Sequence, residues 1–299
     1  MTTSHTEPVS IGQAPPARGA AETAFGCSRD FLDNRYVYAV VSPRAGGLSI
    51  GVDMNPDQQC NFDCAYCEVV RRSSMAHERL DVGVLGQELE KTLTMVHSGA
   101  IRERPCFKSV PESLLKIRQV ALSGDGEPTI CTDFSAAVQA VLHVRAYMRM
   151  PFFKVVLITN ASGLNLPDVE YGLNFFTSQD EVWAKLEVGS DVRMSKINRT
   201  NVPLESILSN ILALARKRPV IIQSLFPSVD GLGPTEAEIE EYALRLRELK
   251  QQGANIPLVQ IYSATRPAAN SGIGHLPLQT LSRIARTVRD TTGLRAEVF

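Results

Sequence analysis

The alternation of strand-like and helix-like segments limits this chain to a small set of folds. Apolar runs typical of strands fall at Leu48–Met54, Gln119–Leu122, Lys154–Ile158, Val182–Glu187, Val220–Ser224 and Leu258–Tyr262. Amphipathic helical patterns follow all of these runs except the third, and we interpret the six runs as strand-then-helix units in succession. Asp133 is a candidate cap for the helix after the second run, and Thr235 with Glu238 is a capping-box signature for the helix after the fifth run. Because strands separated by helices pair in parallel, the sequence predicts an α/β fold with helices outside the sheet.

We expect the six units to form a partial (β/α)6 TIM-like barrel with a lateral opening. An extra strand at Tyr36–Val41 precedes them, and Leu294–Phe299 is a candidate closing strand. The same alternation also permits a doubly wound open sheet, which is the alternative. Residues 1–24 are rich in Thr, Ser, Ala, Gly and Pro without an apolar period, which predicts a disordered tail before a single core domain at residues 25–299.

Charge and hydropathy disfavour two classes of partner, nucleic acids and membranes. The 31 basic and 32 acidic residues leave a formal net charge of -1, so no general basic field attracts a polyanion such as RNA. No apolar run reaches the roughly 18 residues needed to span a bilayer. We therefore expect no membrane association and a cytoplasmic location.

Three cysteines stand close together at Cys60, Cys64 and Cys67, in the loop after the first barrel strand. A structural zinc site needs four protein ligands, and no second cysteine pair is present to complete one. A 4Fe–4S cluster held by three thiolates would keep one iron open for a small molecule, whereas a pure electron-transfer cluster normally has a fourth cysteine. Cys106 and Cys131 are expected to be buried as small hydrophobic residues.

Polar residues follow the later strands, where a barrel of this kind places its chemistry. After the second and third strands come Gly126–Glu127 and Thr159–Asn160. Lys185 and Glu187 alternate with apolar residues, so both point to one face, which is either the barrel interior or a solvated strand face. Further candidates for the same cavity are Gln223, Gln260, Tyr262 and Arg266.

The Cys-x3-Cys-x2-Cys spacing, with Tyr66 before the last cysteine, resembles the signature of the radical S-adenosylmethionine superfamily. The resemblance implies that Cys60, Cys64 and Cys67 bind a 4Fe–4S cluster whose open iron chelates S-adenosylmethionine. It implies oxygen-sensitive chemistry, in which an electron from a donor such as flavodoxin or ferredoxin cleaves the cofactor. The resulting 5'-deoxyadenosyl radical would abstract a hydrogen from the substrate.

The resemblance also implies which residues contact the cofactor. Gly126–Glu127 occupies the place of the family's Gly-Gly-Glu element, which binds the cofactor's amino group, although Asp125 stands where the first glycine is usual. Polar groups after the third and fourth strands serve its ribose and carboxylate. The expected cofactor-binding residues are Tyr66, Gly126, Glu127, Asn160, Lys185 and Glu187; no residue is assigned a catalytic role.

Four strings support a narrower resemblance to stand-alone radical proteins related to wybutosine-type tRNA-modifying enzymes. They are Gly-Asp-Gly-Glu-Pro-Thr, Ile-Thr-Asn, Trp-Ala-Lys-Leu-Glu and Val-Gln-Ile-Tyr-Ser-Ala-Thr-Arg-Pro. We expect a radical enzyme acting on a small or medium-sized molecule or a peptide. A tRNA base-modifying enzyme is one alternative, which the near-neutral charge does not favour. A non-catalytic iron–sulfur or zinc sensor is the other.

Overall fold

The computed structural model describes residues 29–70, 78–265, 268 and 271–299. The predicted tail at residues 1–24 and the candidate Arg266 lie outside these ranges. The strands are β1 Val37–Ser42, β2 Gly47–Asp53, β3 Ile117–Ser123, β4 Lys154–Thr159, β5 Glu181–Lys185, β6 Val220–Leu225, β7 Ser228–Val229, β8 Val259–Tyr262, β9 Ile273–Gly274 and β10 Ala296–Val298. The α-helices are α1 Val82–His97, α2 Phe134–Tyr147, α3 Pro167–Leu173, α4 Asp191–Ile197, α5 Leu204–Ala215, α6 Glu236–Gln251 and α7 Leu278–Thr292.

The main sheet is a curled half-barrel in the order β1-β2-β3-β4-β5-β6-β8-β10. β1 pairs with β2 in antiparallel fashion, and every later neighbour in the sheet is parallel. The strands lie side by side in the order of the chain, without the reversal of strand order that a doubly wound sheet requires. The predicted partial barrel and its closing strand are therefore confirmed.

The two faces of the sheet differ in polarity because side chains alternate along each strand. Leu48, Ile50 and Val52 of β2 are fully buried and belong to the apolar core. On the other face, Ser49 and Asp53 of β2 are polar, and the side chain of Gln119 on β3 donates a hydrogen bond to Ser49 Oγ. The barrel interior is thus partly polar, as a binding cavity requires.

Of the two predicted helix caps, one is confirmed and one is not. Thr235 and Glu238 form the predicted capping box at the start of α6. Asp133 precedes α2 as predicted, but its side chain does not cap the helix. Both of its oxygens instead accept hydrogen bonds from Arg79, so the capping prediction is wrong.

Two short helices were not predicted from the sequence. α3 and α4 each contain seven residues, about two turns, which is too short for a helical period to stand out. Among the described helices, none is long and apolar enough to cross a lipid bilayer. Cys106 is exposed, so the expectation that it is buried is wrong, whereas Cys131 is partly buried.

Candidate active site

The cysteine loop, residues 59–67, follows β2 and is held from two sides by backbone hydrogen bonds. The Glu127 amide donates to the Gln59 carbonyl at 2.9 Å, which joins the loop to the segment after β3. On the other side, the Ala65 amide donates to the Ile197 carbonyl at 2.8 Å, at the end of α4. These contacts place the cysteines at the carboxyl ends of the parallel strands, where barrel enzymes carry their chemistry.

The thiols of Cys60, Cys64 and Cys67 are partly buried and none forms a disulfide. The Phe62 amide donates to Cys60 Sγ at 3.5 Å, and the Asn198 side-chain amide donates to Cys64 Sγ at 3.8 Å. Burial raises the pKa of the Cys64 thiol to about 12, and the nearby Lys185 ammonium only partly opposes this. Coordination to a metal deprotonates such a thiol outright.

The type of donor, three thiols on one loop, is compatible with an iron–sulfur cluster. In the described part of the chain, no three His, Cys, Asp or Glu side chains converge closely enough to hold one ion. Each thiolate of a 4Fe–4S cluster binds a different iron, so its ligands need not meet at one point. Three soft sulfur donors on one loop are also the ligand type that iron–sulfur clusters take.

Two glycines allow the segment after β3 to approach the cysteine loop. A Cβ atom at Gly126 would lie 2.0 Å from the Gln59 carbonyl oxygen, so no larger residue fits without moving the loop. Gly124 has a φ of +132°, and a Cβ there would lie 2.0 Å from the Asp53 carboxylate. Glycine supplies both the close approach and the backbone angle.

Asp125, at the position where the sequence resemblance leads one to expect a glycine, is held by polar neighbours. Its carboxylate accepts a 2.5 Å hydrogen bond from Arg29, and its amide donates to Asp53 Oδ1 at 3.0 Å. Arg29 also lies 4.1 Å from the centre of the Tyr38 ring. Asp125 therefore takes part in an ionic cluster that joins the ends of β2 and β3.

The Glu127 carboxylate is buried and already bound by protein donors. Its Oε2 accepts from the Asn160 amide at 2.8 Å, and its Oε1 accepts from the Thr129 amide, the Thr129 hydroxyl and the Thr159 hydroxyl. Burial raises the pKa of Glu127, while these donors act to lower it. The carboxylate thus ties the segment after β3 to the end of β4, and its contact with a cofactor amino group stays a prediction.

The other predicted residues converge on the opposite side of the cysteine loop. The Tyr66 hydroxyl donates to Glu187 Oε1 at 2.7 Å, and Lys185 Nζ lies 5.1 Å from the centre of the Tyr66 ring. Burial acts to lower the pKa of Lys185. The electrostatic influence of Tyr262, Glu187 and the cysteines of the loop is larger, so the pKa of Lys185 is raised. Lys185 is therefore a fixed cation beside the cysteine loop.

The remaining candidates lie close to these residues. Asn160 follows β4, and its side-chain amide donates to Asn61 Oδ1 in the cysteine loop at 2.9 Å. Lys185 is paired in register with Gln223, which is paired in turn with Gln260. The strand register brings these polar side chains into one row across β5, β6 and β8.

A small pocket, with room for about one water molecule, lies between this cluster and helices α4 and α5. The polar residues that line it are Asn160, Lys185, Glu187 and Asn198, and the remaining lining is largely apolar. Asn198 was not predicted from the sequence. It lies 134 residues from Cys64, and a single asparagine at a helix end carries no local signal of such a contact.

Solved structures that share the fold include two that match over most of this chain. The structure of Streptococcus suis SuiB bound to S-adenosylmethionine matches with a TM-score of 0.57 at 13% identity, covering 85% of this chain and 51% of SuiB. TYW1 with a lysine–pyruvate adduct bound matches with a TM-score of 0.53 at 14% identity, covering 86% of this chain and 84% of TYW1. Both are radical S-adenosylmethionine enzymes, so this chain has the fold of that class and the predicted resemblance is confirmed at the level of the fold.

At the level of sequence, the chain is similar to UPF0026 proteins. It is 24% identical to one from Helicobacter pylori over 78% of this chain and 67% of that protein. It is 26% identical to one from Methanocaldococcus jannaschii over 71% of this chain and 60% of that protein. The matches thus span about two thirds or less of these relatives, and no protein-family model matches the chain.

Proposed function

We propose that this protein is a radical S-adenosylmethionine enzyme with one 4Fe–4S cluster bound by Cys60, Cys64 and Cys67. The observation that carries the proposal is the convergence of the cysteine loop with Lys185 and Glu187 at the carboxyl ends of the strands. Three thiols, a partly buried cation and a buried carboxylate lie close together there, in a fold shared with enzymes of this class. A role in binding a ligand explains why these groups are gathered at the mouth of the barrel, whereas a purely structural role does not.

When bound, the cluster and S-adenosylmethionine would supply a 5'-deoxyadenosyl radical that abstracts a hydrogen from the substrate. The residues of the chain bind and orient these groups. Lys185 offers a cation for the cofactor's carboxylate in a charge-assisted hydrogen bond. Gly126 keeps the backbone after β3 close to the cysteine loop, where its neighbouring peptide groups can meet the cofactor.

The substrate that we propose is a small or medium-sized molecule or a peptide, and the electron donor is a low-potential carrier such as flavodoxin or ferredoxin. A cluster with an open iron is sensitive to oxygen, which fits a reducing cytoplasmic location. A tRNA substrate is the alternative, because four strings of the sequence resemble wybutosine-type tRNA-modifying enzymes.

Anaerobic reconstitution with iron and sulfide tests the proposal. We expect a 4Fe–4S spectrum that changes when S-adenosylmethionine is added, followed by release of 5'-deoxyadenosine after reduction with dithionite. A Cys64→Ala variant is the negative control. A cluster that never cleaves the cofactor would contradict the enzyme and favour an iron–sulfur sensor, and tetrahedral zinc in place of iron would favour a zinc protein.

A separate experiment addresses the class of substrate. The reconstituted protein is incubated with total tRNA and, in parallel, with a small-molecule extract, each with S-adenosylmethionine and dithionite. We expect stimulation of 5'-deoxyadenosine release by the small-molecule extract. Stimulation by tRNA alone, lost after ribonuclease treatment, would overturn the preference for a small substrate.

A further inference from the structure

The side-chain amide of Asn198 bridges the cysteine loop and the end of β5. Its Nδ2 donates to Glu187 Oε2 at 3.0 Å and to Cys64 Sγ at 3.8 Å. Asn198 follows the last residue of α4 and is 2% exposed. One buried donor group therefore reaches both the thiol of a predicted cluster ligand and the carboxylate that also binds Tyr66.

The orientation of this amide follows from its partners. Glu187 Oε1 accepts from the Tyr66 hydroxyl, and the Asn198 nitrogen faces the second oxygen, Oε2, as a donor to a carboxylate does. The same nitrogen then faces Cys64 Sγ. The Asn198 Oδ1 atom is buried without a hydrogen-bond partner in the described part of the protein. If Asn198 served packing alone, an apolar side chain at this position would make the fold more stable, because an unpaired buried oxygen destabilises it.

Backbone contacts fix the distance between this donor and the thiol. The Asn198 carbonyl accepts from the Asp63 amide at 3.2 Å, and the preceding Ile197 carbonyl accepts from the Ala65 amide at 2.8 Å. These bonds flank Cys64 on both sides in the sequence. The end of α4 and the cysteine loop must therefore move together, which keeps the amide directed at Cys64 Sγ.

We propose that Asn198 is a positioning residue whose amide donates a hydrogen bond to the Cys64 thiolate and makes the cluster easier to reduce. This inference rests on the proposed function, because it requires the thiolate to be an iron ligand. A donor directed at a ligating sulfur stabilises the more negative, reduced form of an iron–sulfur cluster and so raises its reduction potential. Glu187 holds the donor in place from the other side.

A redox titration of the reconstituted protein, followed by electron paramagnetic resonance of the one-electron-reduced cluster, tests the proposal. We expect a more negative midpoint potential for Asn198→Ala and Asn198→Asp than for the wild type. At a fixed potential, the ratio of reduced to oxidised cluster should fall about tenfold, which corresponds to about 59 mV for one electron. Iron content and circular dichroism report whether each variant loads and folds.

Asn210→Ala is the matched control. Asn210 also donates two hydrogen bonds, to the carbonyls of Ala161 and Ser162, but neither goes to a thiol. We expect its midpoint potential to equal that of the wild type. A shift in this variant as large as that in Asn198→Ala would overturn the proposal, because the effect would then be general loosening.

A measurement on the wild-type protein does not depend on the variants folding. With asparagine labelled by ¹⁵N in its side-chain amide, pulsed electron paramagnetic resonance of the reduced cluster should detect a weak nitrogen coupling. Its absence would overturn the inference, as would an unchanged potential in a loaded Asn198→Ala variant. In both cases a wild-type protein that cleaves S-adenosylmethionine would leave the proposed function standing, whereas a wild type without any cluster would overturn both.

Discussion

The hydroxyl of Tyr66 donates a 2.7 Å hydrogen bond to the carboxylate of Glu187, which lies 121 residues further along the chain. Tyr66 is part of the cysteine loop, and Glu187 follows β5. This bond therefore joins the loop after the first parallel strand to the end of the fourth. It also explains why an aromatic residue with a polar tip stands between two of the cysteines, since its ring is buried and its hydroxyl has a partner.

Removal of this hydroxyl should destabilise the protein. In Tyr66→Phe, the Glu187 Oε1 atom would lose its donor in a buried site, and we expect the free energy of unfolding to fall by about 1–3 kcal/mol. Urea denaturation of the cluster-free protein measures the change. Tyr171→Phe on α3 is the control, since Tyr171 is 55% exposed and its change should stay within about 0.5 kcal/mol. Equal stability of Tyr66→Phe and the wild type would contradict the prediction.

The cysteines of the loop should be required for cluster binding, whereas those outside it should not. Changing Cys60, Cys64 or Cys67 to Ala should abolish binding of the 4Fe–4S cluster, measured as iron and sulfide per protein after anaerobic reconstitution. Cys106→Ala and Cys131→Ala should retain full loading, because both residues lie outside the cysteine loop. Full loading of the Cys64→Ala variant would refute the ligand assignment.

Gly126→Ala should impair the site through a clash. Its new Cβ would lie 2.0 Å from the Gln59 carbonyl oxygen and 2.4 Å from Asn55 Cβ, so the cysteine loop must move. We expect a loss of about 1–3 kcal/mol in the free energy of unfolding, typical of overpacking, together with reduced cluster loading.

Gly86→Ala is the control for Gly126→Ala, and its expected effect on stability is the opposite. Gly86 lies within α1, and a Cβ there would meet no atom within 4 Å. Alanine should stabilise this helix by about 0.5–1 kcal/mol. If both variants changed stability in the same direction, steric contact at Gly126 would not be the cause.

Glu127→Gln separates a structural role from a role in cofactor binding. A glutamine side chain turns one acceptor oxygen into a donor, which would face the donors now bound to Glu127. In cluster-free protein we expect a loss of about 1–3 kcal/mol in the free energy of unfolding. Glu238→Gln should have little effect, because a capping box accepts glutamine. Unchanged stability of Glu127→Gln, with loss of cofactor binding after reconstitution, would show that the carboxylate serves the cofactor instead.

Asp53 should make stability depend on pH. Burial, aided by the charge of Asp125, raises the pKa of Asp53 from 3.8 to about 6. The folded protein thus binds the proton more tightly than the unfolded chain, so Asp53 disfavours folding increasingly as the pH rises from about 4 to about 6. Asp53→Asn lacks this effect.

The stability of Asp53→Asn relative to the wild type should therefore increase with pH across that window. The increase should approach about 3 kcal/mol, the value for a shift of roughly two pKa units. Urea denaturation at intervals between pH 4 and pH 7 checks this expectation. If the difference in stability between Asp53→Asn and the wild type stays constant or falls as the pH rises, Arg29 keeps the Asp53 carboxylate charged.

Local patterns were enough to predict most of the fold. The strand runs and the helices α1, α2, α5, α6 and α7 follow from alternation and helical periodicity, which the backbone geometry imposes within a few residues. Parallel pairing followed from the alternation of strands and helices. The short helices α3 and α4 were missed because two turns give too few apolar repeats. Asp133 does not cap α2, because Arg79 binds its carboxylate and the Ser135 amide donates to Asp168 instead.

The sequence by itself determined the cysteine loop, its place after a strand and the kind of chemistry that three thiolates support, because spacing and ligand type are local properties. Only the tertiary structure decided which distant groups meet the loop. Strand register and the packing of α4 bring Glu187 to Tyr66 and Asn198 to Cys64. They also bind Glu127 into a network that its motif does not reveal. Such contacts arise from the path of the whole chain, so they leave no pattern in neighbouring residues.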